Sequence, residues 1–221
     1  MIKIIEQLPL FPLGTVLFPG APLNLHIFEE RYRLMIARCL EEKQPFGVVL
    51  LRSGEEVEEG RLATEPPIPC EIGTLAYIDN SVHLEDGRYL LTAVGRERFR
   101  VRTVIDRAPY LVATVELLDE VEGDGLEPAI AQLRSTYESY WQAVARATGS
   151  DIEIEKLPDD AVALTYDLAD RLQVTMPRKQ AWLEGTAANR ARSMTAVLRA
   201  ELSLLPRPDL DGDGGPGYSL N

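Results

Sequence analysis

The chain has 221 residues, 45% hydrophobic and 26% charged, with 23 Lys and Arg against 35 Asp and Glu for a net charge of −12. These are ordinary globular proportions for one large domain or two small ones, enough to bury a core without staples. The acidic balance argues against a general grip on DNA, RNA or anionic lipid. The two cysteines are too few for a disulfide scaffold, which points to a reducing, cytoplasmic compartment.

Ile4 to Leu13 reads as a strand stopping at Gly14, and Pro9 and Pro12 suit an edge strand, where a missing N–H costs no pairing. From Leu8 to Phe28 no residue is charged, yet four prolines and two glycines interrupt the stretch, so it is neither a membrane helix nor a signal peptide. Leu23, Leu25 and Ile27 alternate with Asn24 and His26, as in a half-buried strand. Glu29 to Gln44 reads as a helix with the apolar stripe Tyr32, Met35, Ile36, Cys39 and Leu40, ended by Pro45. Phe46–Leu51 is a buried strand, and Arg52 to Pro69 a loop carrying Glu55, Glu56, Glu58 and Glu59. Beyond Ile72–Asp79, which resumes β structure, Val82–Leu84 and Tyr89–Leu91 flank Asp86-Gly87, a hairpin signal because both turn positions tolerate positive φ. Arg96–Ile105 and Tyr110–Leu118 complete the β region.

After Glu120 the period becomes helical. Leu126, Ile130, Leu133, Tyr137, Trp141 and Val144 share a face, and Gly149 ends that helix. Pro158-Asp159-Asp160 opens a second, with Leu164, Leu168 and Leu172 along its stripe. Pro177 opens a third that Gly185 stops, and Thr186 caps a fourth ending before Pro206. Residues 206–221 read as a disordered acidic tail rich in Gly and Pro. The expected organisation is a mixed β unit over 1–119, a helical bundle over 120–205 and the tail.

The chemistry of several enzyme classes is missing. No Lys follows a Gly, so there is no P-loop of the usual form, and no G-x-S-x-G elbow or H-E-x-x-H pair occurs. His83 beside Glu85 and Asp86 could serve as a general base, but it reads as an exposed turn residue. Asp209-x-Asp211-x-Asp213-Gly214 starts like a calcium loop, but Leu220 occupies the twelfth position, where a bidentate Glu is required. No cofactor or metal is expected.

Three stretches carry a family resemblance: Leu8-Pro-Leu-Phe-Pro-Leu-Gly-Thr-Val-Leu-Phe-Pro-Gly20, Ile27-Phe-Glu-Glu-Arg-Tyr32, and Ile72-Gly-Thr-Leu-Ala76 followed by Gly95, Arg98 and Val101. In this order they resemble the N-terminal substrate-binding domain of Lon proteases. Leu157-Pro-Asp-Asp and Lys179-Gln-Ala-Trp-Leu-Glu184 resemble its helical part. The resemblance implies an α+β fold, a PUA-like mixed β-barrel with one inserted helix followed by about four helices. It also implies recognition of unfolded or tagged polypeptides. The AAA ATPase and Ser-Lys protease motifs of a full Lon protease are absent, so the chain resembles a free-standing, non-enzymatic form, a partner of an AAA protease or chaperone in protein quality control.

Aromatic side chains kept at the surface are the candidate polypeptide contacts. Phe18, at the Phe-Pro-Gly turn, leads them because turns are usually exposed; Phe11, Phe28, Tyr32, Tyr77 and Tyr89 follow. Core packing is the competing reading for Phe18 and more so for Phe11 and Leu10. The alternative function is RNA binding through Arg96, Arg98, Arg100 and Arg102, whose alternation along one strand predicts a single basic face. Acids such as Glu116 could equally pair with that face.

Overall fold

The structure is a computed structural model describing residues 2–51 and 68–205. The expected acidic cluster at 55–59 and the tail with its Asp-x-Asp pattern lie outside the described residues. β1 (Ile4–Leu13) and β2 (Pro22–Ile27) lead into α1 (Glu30–Glu42) and β3 (Phe46–Leu50). Next come β4 (Ile72–His83), β5 (Tyr89–Asp106) and β6 (Leu111–Leu118). Four helices follow: α2 (Leu126–Thr148), α3 (Ala161–Arg171), α4 (Met176–Glu184) and α5 (Ala187–Leu204).

The α+β class is as the sequence implies. The barrel takes the form of one six-stranded sheet in the order β2-β5-β4-β3-β1-β6, coiled so that β5 pairs with β6 as well. Such coiling needs a long, bent strand, and β5, with 18 residues, supplies it through register shifts against β4 and β6. Leu8, Leu10, Val49, Leu75, Phe99, Ala113 and Val115 fill the inside of the coil. Space there is so short that a Cβ on Gly73 would meet the Val48 carbonyl oxygen at 2.2 Å and the Phe99 ring at 2.8 Å.

β1 is not an edge strand. Its first half pairs antiparallel with β6 and its second half parallel with β3. The prolines survive because the partners change over at Leu10: Pro9 is matched to Val112 of β6, and Pro12 to Val49 of β3. Among the described residues β2 is the strand with a single partner, β5. The Asp86-Gly87 hairpin forms as the residues demand: Gly87 has φ +82°, its N–H donates to the Leu84 carbonyl at 2.9 Å, and Val82 stands opposite Leu90.

A second, larger core lies on the other face of the sheet and runs without a break into the helices. α1 contributes Tyr32, Met35, Ile36 and Cys39, with the Tyr32 ring 4.2 Å from Phe11. The helical stretch brings Leu133, Leu164, Leu168, Trp182 and Met194. Local signals start these helices: the Asp160 carboxylate accepts the Ala163 N–H at 2.7 Å, and the Thr186 hydroxyl accepts that of Asn189 at 3.3 Å.

Candidate functional site: an open sheet edge and a closed joint

The Phe-Pro-Gly turn is where the expectation from sequence and the structure part. Phe18 has no solvent exposure; its ring lies 6.2 Å from that of Tyr166 on α3, so helix α3 covers Phe18 while Gly20 stays exposed. The motif residues hold one another there. Gly20 N–H donates to the Gly95 carbonyl at 2.8 Å, Gly95 N–H to Ala21 at 2.9 Å, and the Thr74 hydroxyl to Leu17 at 2.7 Å. A Cβ on Gly95 would sit 2.3 Å from the Phe18 carbonyl oxygen, so only glycine allows the approach. Phe18 is therefore a joint residue and not a surface anchor. Phe11, packed on Tyr32 and Phe46, and Tyr32 itself are core: Tyr32 belongs to the face of α1 that covers Phe11.

The four arginines do not form one face. Between Thr74↔Arg98 and Ala76↔Gly95 there is one residue on β4 but two, Arg96 and Glu97, on β5. Between Val101↔Val115 and Thr103↔Thr114 only β5 has an extra residue, Arg102. Each bulge breaks the two-residue alternation. Arg96 lies over the Tyr77 ring at 4.8 Å, Arg102 pairs with Glu116, and Arg100 is half-buried.

Arg98 turns into the joint, 5% exposed. It donates to the Leu183 carbonyl at 2.7 Å and meets Glu120 at 3.0 Å. Glu120 also binds Arg190 at 2.8 Å and accepts the Tyr166 hydroxyl. Arg190 stacks 3.9 Å from the Tyr166 ring and donates to Thr165, Trp182 and Gly185. Burial pushes the Tyr166 hydroxyl above its usual range, Arg190 opposing and Glu120 adding. This is a largely buried ionic network between sheet and helices, which turns Arg98 and Arg190 inward and away from any polyanion. The Cys39 thiol, pushed up to about 12 chiefly by burial, stays protonated and unreactive.

Two of the remaining candidates, Phe28 and Tyr89, lie at the opposite end of the sheet, and Tyr77 does not. Phe28 is 63% exposed, and its ring lies 6.0 Å from His26. Tyr89 is half-buried and stacks on the exposed His83 at 4.5 Å. Tyr77 is half-buried against the inner cluster. Pairing puts His26, Leu90 and Val82 in one row across β2, β5 and β4, and Asn24, Thr92 and Asn80 in another. Both rows face outward; Val82 is 51% and Leu90 45% exposed. A shallow groove of about 400 Å³ runs over this face. None of the predicted aromatics lines this groove; Phe28 stands next to it, its ring 6.0 Å from the lining residue His26, and the lining includes Leu90 and Val82, which sequence reasoning did not single out. Their signal was available, since the Asp86-Gly87 turn sets Val82 opposite Leu90.

Comparison with known proteins decides the family. Residues 7–196 match the family described as the ATP-dependent protease La (LON) substrate-binding domain. The chain belongs to that family. The Lon resemblance extends to whole folds: a Lon N-terminal domain protein from Xanthomonas campestris superposes with TM-score 0.62 at 26% identity, over 91% of this chain and 100% of that one. The N-terminal domain of the Mycobacterium avium complex Lon protease shares the fold with TM-score 0.58 at 16% identity, over 90% of this chain and 99% of that one. Among full-length relatives, Lon protease 2 of Myxococcus xanthus is 31% identical over 52% of this chain. Lon protease 2 of Syntrophobacter fumaroxidans is 26% identical over 81% of it. The chain spans 13% and 22% of the length of those two proteases. Among the described residues no helix is long and apolar enough to cross a membrane.

Proposed function

We propose that this protein is a non-catalytic polypeptide-binding module of the cytoplasm that recognises unfolded or tagged chains and serves an AAA protease or chaperone in protein quality control. The observation that carries the reading is the match of residues 7–196 to a substrate-binding domain family. Residues 1–119 form the recognition unit in this reading, and 120–205 brace it from behind. Recognition rests on apolar contact at an exposed sheet face, which is small enough for transient, micromolar-type binding. Fluorescence anisotropy with a reduced and alkylated small protein tests it, the native form of the same protein being the control. The module should bind the unfolded form and not the native one; absence of binding to either would overturn the reading.

A further inference from the structure

We infer that β2 takes an extended, uncharged polypeptide segment as an added strand, with apolar side chains at alternate positions lying over Phe28, Leu90 and Val82. The inference rests on the polypeptide-binding reading and names the place and the mode.

Four observations lead there. First, β2 pairs with β5 along its whole length, from Pro22↔Val94 to Ile27↔Tyr89, without a shift, and its other side has no partner among the described residues. Its outward N–H and C=O groups are a template on which another extended backbone can pair. Second, the edge has few of the usual defences. Proteins protect such edges with short length, prolines, bulges, lysines or inward charges; β2 is short and has one proline, at its first residue, but no register shift and no charged side chain. Third, the adjoining groove presents mainly apolar atoms, although four of its residues, His26, Asn24, Thr92 and Asn80, are polar. His26, Leu90 and Val82, then Asn24, Thr92 and Asn80, carry no Asp, Glu, Lys or Arg in a chain of net −12. An uncharged segment matches this face; a polyanion or a polycation does not.

The fourth observation separates a peptide from a second copy of the chain. The edge has six residues, about 20 Å at the usual rise. An added strand on so short an edge covers roughly a few hundred Å², well below the about 800 Å² per partner of a stable dimer interface. Two copies would also bring together two chains of net −12, which opposes association. A short segment supplied by an unfolded chain meets neither obstacle. Specificity then comes from alternation, because every second side chain of an added strand falls on the face of Leu90.

The test uses the full chain and a fluorescein-labelled, uncharged peptide of about nine residues with Val or Leu at alternate positions, long enough to span the edge. Two further peptides of the same sequence are N-methylated at every other amide, one in each register. The parent peptide should bind, and the peptide methylated on the edge that donates to β2 should bind about tenfold or more weakly, as expected when backbone pairing is blocked. The double variant Phe28→Ser, Leu90→Thr should weaken the parent peptide by about the same factor while its circular dichroism is unchanged. Equal binding of parent and both N-methylated registers would overturn the inference. So would a double variant that still binds the unfolded protein as tightly as wild type, an outcome that leaves the polypeptide-binding reading standing. A dimer seen by sedimentation that dissociates in the double variant would assign the edge to a second copy and likewise overturn it.

Discussion

Two ends of the same sheet are finished in opposite ways. At the joint, Arg98, Glu120, Arg190 and Tyr166 satisfy one another and the carbonyls around them, and Phe18 is sealed beneath α3. At the β2 edge, backbone groups lack a sheet partner among the described residues, and Phe28, Val82 and Leu90 face solvent. Both ends carry motif-like apolar residues, so hydrophobicity alone does not separate a joint from a binding face. What separates them is whether a later part of the chain arrives to cover them. The residues that carry the family resemblance, the Phe-Pro-Gly turn with Gly95 and Arg98, serve the joint. The surface left for a client is built from less conspicuous ones.

That contrast can be broken by substitution. Phe18→Ala should have the largest effect, a loss of about 3–5 kcal/mol for a fully buried aromatic, read by urea unfolding. Its client affinity, measured well below the unfolding transition, should stay at the wild-type value; a selective loss of binding with stability intact would return Phe18 to the surface role. Glu120→Gln comes next. It leaves the buried Arg190 and Arg98 facing a neutral amide, and because Glu120 keeps partial solvent access the expected cost is about 2–3 kcal/mol. The corresponding fall in melting temperature is about 4–12 °C. A shift under one degree would show that the joint does not depend on this ion network. The smallest effect on stability belongs to Phe28→Ser with Leu90→Thr, within about 0.5 kcal/mol for exposed positions, although this pair carries the largest expected effect on binding.

Much of the fold was legible because its signals are local. The Asp86-Gly87 turn, the α1 stripe from Tyr32 to Cys39, the Asp160 and Thr186 caps and the stop at Gly149 each depend on residues a few positions apart. Two kinds of feature escaped. Bulges at Arg96–Glu97 and Arg102 arise from the coiling of β5 against two neighbours, and no alternation within β5 announces them; four arginines that share a face on paper are thereby scattered. Burial of Phe18 depends on Tyr166, 148 positions further along, and Pro9 and Pro12 gave an edge signal for β1 because the change of partners at Leu10 is invisible along one strand. The true edge, β2, carries no mark beyond a short run of alternating residues. The candidate site was legible in Phe28 alone; its neighbours His26, Leu90 and Val82 follow only from cross-strand register.

Hydrogen exchange of the full chain with and without a saturating reduced and alkylated client is the most direct test of the division between open edge and closed joint. Slowed exchange confined to 22–28, with the 17–21 turn and the α3–α5 helices unchanged, is the result this account predicts. Protection of the helices or the turn, with 22–28 unaltered, would contradict it.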